Sequence, residues 1–315
     1  MQDSLNKKSG DINHEIDLME IFYVIFQGKW FIVSITSFVS IIAVIISILL
    51  PNIYQSHALL TPSKASSGIS SAIQNYSGLA GLAGIKLPSG VNDANASQAI
   101  EKIRSLSFFE TKILKSIHLP DLMAAKIWEP ETNTLSYDGN IYDAKSSAWV
   151  RDFSYPQQQI PSAQESFKVF KDKHLNLIED KSSGFFTLSI KHQSPFIAKQ
   201  WVELVVDEIN SFYRQKDKLE SQKAITYLNQ QISMTSFSEI KEVLAQLAQE
   251  EIKKLTLIEA NQFYVFEYIE PPAVMERKFG PNRALIIFLS ALLSGMLSIF
   301  IVLIRHYFFK KDSIA

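Results

Sequence analysis

Two uncharged apolar runs constrain this chain more than any other feature. Phe31 to Leu50 and Ala284 to Ile304 each hold about the 20 consecutive, mostly apolar residues that a helix needs to cross a bilayer core. Two such runs place both chain ends on one side of a membrane and everything between them on the other. The intervening stretch, Pro51 to Arg283, is polar and carries its own helix and strand periodicities. The first run is too long for the apolar core of a signal peptide, and Leu49-Leu50-Pro51-Asn52 lacks the small-residue cleavage pattern. Lys29 precedes this run and no Lys or Arg follows it until Lys64; Arg305, Lys310 and Lys311 follow the second run. Arg277, Lys278 and Arg283 pull the other way. The first helix usually dominates the positive-inside bias, so residues 51–283 are expected outside the cytoplasm.

The net charge of -1 leaves no basic footprint for a nucleic-acid partner, and none is expected. The chain has no cysteine, which excludes disulfides, thiol catalysis and Cys-ligated metals. The six histidines (His14, His57, His118, His174, His192 and His306) are scattered, without H-E-x-x-H or paired ligand spacing. No G-x-S-x-G elbow occurs, and neither run holds an ionisable residue of the kind that marks a proton or ion pathway. No catalytic residue, cofactor or metal is expected. Glu250-Glu251 reads as a solvated helix face.

The expected fold is α+β: two transmembrane helices flanking an α/β base domain, with a protruding antiparallel helical hairpin. Residues 1–30 form a cytoplasmic segment. Ile16, Met19, Ile21, Tyr23, Val24 and Phe26 read either as a surface helix in the interface or as an extension of the first membrane helix, 31–50. The base domain covers 51–193. It opens with a strand, Tyr54–Thr61, closed by Pro62. The Ser/Gly/Ala stretch Ser63 to Ser97 reads as a loop, because its glycines lack G-x-x-x-x-G-K-[ST]. Ala99, Ile100, Ile103 and Leu106 form a helical stripe. Capping boxes are read at Ser107–Glu110, Ser162–Glu165 and Ser236–Glu239. The aromatic segment 121–160 either stacks on sugar faces or covers its own small core. Leu175–Asp180 and Phe185–Lys191 alternate as a hairpin around Lys181 to Gly184.

Ser194-Pro195 is a strong helix start. The hairpin spans 194–261, its returning arm striped with Ile240, Leu244, Ala248, Ile252, Leu255 and Ile258. Residues 262–283 hold a strand, 262–270, whose two apolar faces predict a central position. The proline segment follows: Pro271, Pro272, Pro281 and Asn282. The strands at 54–61 and 262–270 are expected to pair. In the second membrane helix, 284–304, Ser290, Ala291, Ser294, Gly295 and Ser298 make a small-residue row suited to close helix packing. Residues 305–315 are a cytoplasmic tail.

Three stretches carry a family resemblance: Gly78 to Gly90 with the helix Gln98 to Phe109; Glu239 to Leu257 leading into Tyr264 to Pro272; and Arg277-Lys-Phe-Gly-Pro-Asn-Arg-Ala284. With the two apolar runs, they resemble the Wzz chain-length-determinant family, the polysaccharide co-polymerases. The resemblance implies a non-catalytic inner-membrane protein with a periplasmic base, assembled as a homo-oligomer. It implies that the protein sets the length of O-antigen or a related glycan, with a Wzy-type polymerase, lipid-linked polysaccharide and the membrane as partners. Some relatives carry a kinase after the second span; no Walker A motif occurs here. An inner-membrane component of a capsule or exopolysaccharide exporter is the alternative, and a periplasmic glycan hydrolase, which needs paired carboxylates in a cleft, is a third.

Overall fold

The computed structural model of the protein describes residues 18–63 and 91–309. The glycine-rich run 78–90, Ile16 and the basic residues Lys310 and Lys311 lie outside the described residues. The chain divides into two compact units, Met1–Leu50 with Pro281–Ala315, and Pro51–Gly280.

The first unit is a pair of packed helices with a lead-in. Helix α1 (Leu18–Gln27) runs into α2 (Lys29–Leu49) through the single residue Gly28. Helical hydrogen bonds cross the joint, with Gly28 N–H donating to Val24 O and Ile32 N–H to Gly28 O. Of the two readings of this stretch, extension of the first apolar helix is the observed one. The returning helix is Arg283–Phe309. Lys29–Leu49 and Arg283–His306 are both long and apolar enough to cross a membrane.

The second unit is built on an antiparallel sheet. Strand β1 (Tyr54–Pro62) sits between β7 (Phe185–His192) and β8 (Phe266–Glu270), and β6 (Leu175–Asp180) lies beyond β7, in the order β6-β7-β1-β8. Register follows the period-two pattern: Ser56 opposes Ile190, Ala58 opposes Leu188 and Leu60 opposes Phe186, and all six are buried. This face packs on the first half of a 40-residue helix, Pro195–Met234, through Trp201, Val202, Val205, Val206 and Ile209. Each such fully buried side chain contributes about 1.5–3 kcal/mol. The β6–β7 turn closes at Gly184, whose φ of +71° favours glycine.

Before β6 the chain supplies α3 (Val91–Ile103), α4 (Leu106–Phe108), α5 (Leu119–Met123), the small hairpins β2 (Ala125–Glu129) with β3 (Thr134–Tyr137) and β4 (Tyr142–Asp143) with β5 (Ala148–Trp149), then α6 (Ala163–Val169). The capping box at Ser162 and Glu165 forms as expected. The box at Ser107 does not: Ser105 caps instead, accepting from Phe108 N–H. The helix starts two residues early and passes into a π-helical turn, Phe109–Ile113, and the adjacent Phe108 and Phe109 both lie in the core at 1% exposure.

After the long helix, α7 (Pro195–Met234), comes α8 (Ser238–Ala260), then β8 and finally α9 (Arg283–Phe309). Ser194 caps α7 and Pro195 occupies its first turn. The box at Ser236 does not form; α8 starts at Ser238 behind Phe237, with no side-chain cap. At about 1.5 Å per residue α7 is about 60 Å long, and beyond Asn210 its one buried residue is Ser221.

The expected pairing of the strands at 54–61 and 262–270 is observed, with Leu60 opposite Tyr268 and Pro62 opposite Phe266. The placement of 262–270 as a central strand is corrected: β8 starts only at Phe266 and lies at the sheet edge. Its two apolar faces have a different cause. Tyr264, Val265 and Phe266 are buried against α7, where the Asn210 side-chain oxygen accepts from their three N–H groups at 3.2, 2.7 and 2.9 Å. The Asn210 amide donates to Phe266 O at 3.0 Å. One buried side chain thus replaces a missing strand partner. Leaving a buried N–H unpaired costs about 1–3 kcal/mol. Asn210→Ala is therefore expected to lower stability by about 3 kcal/mol or more, read as a shift in the denaturant midpoint; an unchanged midpoint would refute the role.

Candidate functional site

Three places in the fold bear on function: the helix pair, the buried histidines below the sheet, and the helical hairpin. Within the first unit, α9 presents Ser294 (6% exposed) and Ser298 (0%) inward, with Ser290, Ala291 and Gly295 half-buried beside them. The facing helix contributes Ala43 and Ser47. The three serine hydroxyls donate to carbonyls three residues back in their own helix, Ile287, Ala291 and Gly295. They act as small, self-satisfied surfaces and not as bridges between the helices. A Cβ at Gly295 would meet Thr36 Oγ1 at 3.9 Å, an ordinary contact. The tight approach is at Gly28, where a Cβ would lie 2.7 Å from Val302 Cγ1. Gly28 had no partner in any sequence pattern, because the residue it meets lies on the other apolar helix.

Pro271 and Pro272 follow β8, and Pro272 is buried. The segment then runs back beside the start of β1: Ser56 Oγ donates to Ala273 O, and Ile53 bridges Gly280. Pro281 is half-buried, and exposed Asn282 opens α9 by accepting from Leu285 N–H.

The histidines His174 and His192 meet below the sheet, rings 5.6 Å apart, and both pack edge-on against Trp201. His192 Nε2 donates to Asp121 O, and its Nδ1 accepts from Ser194 N–H, an arrangement that suits the neutral ring. Burial and the neighbouring His192 push His174 down to about 4, with Lys173 adding to the effect. Burial also lowers His192. The pair is invisible to sequence spacing because a π turn, Phe170–His174, and the end of β7 bring it together.

Among the described residues no group of three His, Cys, Asp or Glu side chains is arranged to hold a metal. Asp207 is raised by burial and by the like charges of Glu203 and Glu208, all three on α7. Neighbouring Tyr268 is raised by burial and by Asp207 and Glu203. In segment 121–160 three of the aromatic rings pack on one another, Tyr137, Tyr142 and Trp149 in an edge-to-face chain at 5.5 and 5.2 Å, and Trp128 packs against Tyr54 and Phe196 outside it. Phe153 and Tyr155 remain exposed. Arg151 holds that loop, pairing with Glu165 and donating to Gln158 O and Gln159 O.

On the hairpin, Ala248 and Ile258 are the buried residues of α8, and Lys218 pairs with Glu259 across its two arms. Leu244 and Leu255 are half-buried, but Ile240 and Ile252 of the expected stripe are exposed, as are Val243 and Leu247. The far end adds exposed Tyr227, Met234 and Phe237. These exposed apolar side chains lie along the returning arm and at the far end of the hairpin.

Residues 14–116 match the family model described as Wzz, chain length determinant protein. The match takes in α1, α2, β1, α3 and α4, the parts that lead into and out of the first apolar helix. No curated protein matches the chain. Among solved structures, a full-length bacterial polysaccharide co-polymerase is similar at 16% identity and a TM-score of 0.38, covering 93% of this chain and 99% of its own. A fragment of WzzB, a polysaccharide co-polymerase from Salmonella Typhimurium, gives 15%, 0.33, 73% and 100%. A point mutant of the Shigella flexneri lipopolysaccharide O-antigen chain-length regulator WzzBSF gives 12%, 0.25, 72% and 99%.

Two outcomes follow from this geometry. Gly28→Leu is expected to cost about 1–3 kcal/mol of helix packing through overcrowding, whereas Gly295→Ala is tolerated; unfolding of both variants in detergent compares them. Stability is also expected to depend on acid. The unfolded chain protonates His174 near its ordinary 6.5, and the fold holds the ring neutral to about 4. Stability is therefore level above pH 6.5 and falls by about 2–3 kcal/mol between 6.5 and 4. Denaturant midpoints from pH 7 to 4.5 measure it, and His174→Gln should flatten the slope.

Proposed function

We propose that this protein is a non-catalytic regulator of polysaccharide chain length in the inner membrane. The observation that carries the reading is the Wzz match over residues 14–116. In this reading α2 and α9 cross the membrane and Pro51–Gly280 lies in the periplasm. Several copies assemble into a homo-oligomer. The assembly gathers a Wzy-type polymerase with the lipid-linked O-antigen or related glycan, and their dwell time on it sets the length. The proline segment, Pro271 to Asn282, returns the chain to the second span, and the small row Ser290, Ala291, Ser294, Gly295 and Ser298 packs the spans.

The exposed apolar residues of α8, Val243 and Leu247 above all, support a subunit contact on the hairpin. Fully exposed carboxylates there would oppose association and leave the core intact. Deleting the gene should replace a defined modal length by an unregulated ladder on a lipopolysaccharide gel or in secreted glycan. An unchanged distribution in both would sink the proposal, and loss of capsule alone would point to export. Complementing the deletion with Val243→Glu/Leu247→Glu should give normal protein levels, a smaller detergent-solubilised mass and no modal length.

A further inference from the structure

At the end of the helix pair where α2 begins and α9 finishes, the helices enclose an open cavity of about 520 Å³. Val24, Phe31 and Val302 give it an apolar wall, and Gln27, Arg305 and His306 give it a polar rim. Gly28 lets the two helices close behind it. Such a volume is in the range that holds a small-molecule group.

The position along the helices matters as much as the lining. Phe31 opens the first apolar run and Ile304 closes the second. The cavity therefore sits where hydrocarbon gives way to headgroups, if the helices span a bilayer; the inference rests on that part of the proposed function. Among the described residues, bases outnumber acids at this end. Between residues 18 and 50 and between 281 and 309 the sequence holds one carboxylate, Glu20. Arg305 and Lys29 carry positive charge at this end, and Lys29 is turned over the Phe26 ring at 4.3 Å. Among the described residues Arg305 is in no ion pair.

We propose that this cavity binds the headgroup of an anionic phospholipid. The Arg305 guanidinium takes the phosphate through paired N–H donors, for which its planar fork is suited. The Gln27 amide supplies a further donor, and the acyl chains run down along Phe31 and Val302. Apolar wall below and cation above match the two ends of a phospholipid, whereas a free phosphate would use the rim alone. Basic pockets between membrane helices take anionic headgroups for this reason. The bound lipid bridges α1 and α9 and stabilises the helix pair at this end.

The test uses the full chain in nanodiscs of equal parts phosphatidylcholine and phosphatidylglycerol, moved into mild detergent. Lipid retained per chain is read by native mass spectrometry. Phosphatidylglycerol should be enriched over phosphatidylcholine, and Arg305→Gln should lower its retention about tenfold, the effect of losing one charge-assisted pair. Arg305→Lys should lose less. Gln27→Glu, a variant of the same shape that adds a repelling charge, should also release the lipid. Arg283→Gln, at the opposite end of the helix pair, should change nothing. Equal retention of both lipids, or an Arg305→Gln protein that keeps its phosphatidylglycerol, overturns the site. Displacement by inorganic phosphate at matched concentration overturns the lipid as its occupant. Alkaline carbonate extraction reads the spans separately. Extraction of the chain overturns spans and site together; resistance to carbonate without headgroup preference overturns the site alone.

Discussion

The Asn210 side chain joins the long helix of the second unit to the chain that returns to the sheet, 54 to 56 residues later. Its oxygen serves Tyr264, Val265 and Phe266 N–H, and its amide serves Phe266 O. A helix that runs on for about seven more turns must be met, on its return, by a chain about to become a strand. Backbone donors at that junction have no ladder to enter, and burial forbids water as a partner. A short amide side chain on the helix supplies the acceptor that the sheet cannot. Tyr264 then reaches down α7 to donate to Asp217 at 2.6 Å, so the base of the hairpin is tied at two levels.

From that junction the remaining arrangement follows. β8 completes the sheet beside β1, whose other neighbour, β7, leads straight into α7. The small Ala58 and Ser56 on β1 leave room for Trp201 and the valines of α7 to close on the sheet. Below it, the paired histidines, hydrogen-bonded to backbone, pack with Trp201 between β7, the π turn and α5. In this unit α7 is buried where it meets the sheet, and the hairpin carries exposed apolar residues further along.

Local patterns made much of this legible in advance. The two apolar helices, the β6–β7 hairpin around Gly184, the cap at Ser162 and the Ser194-Pro195 start depend on residues within a turn of one another, and they formed as read. The pairing of β1 with β8 was legible from their positions beside the apolar runs. The errors share a cause. Ser107 and Ser236 satisfy a capping pattern, but Phe108 and Phe109 had to be buried together, and the tip at Phe237 needed no cap. The strand at 262–270 showed two apolar faces because a helix covers part of it, which periodicity cannot distinguish from a second sheet neighbour.

The sequence by itself determined the class of molecule: two membrane-length helices, a mixed domain between them, a long helical arm and the absence of recognisable catalytic motifs. Hydrophobic period and run length are properties of neighbouring residues, so they survive without coordinates. Tertiary structure alone decided which distant side chains meet. It set Gly28 against Val302, joined His174 to His192, gave Asn210 its three donors and left Val243 and Leu247 uncovered. Each of these depends on packing between elements far apart in the chain, and no local pattern encodes such a contact.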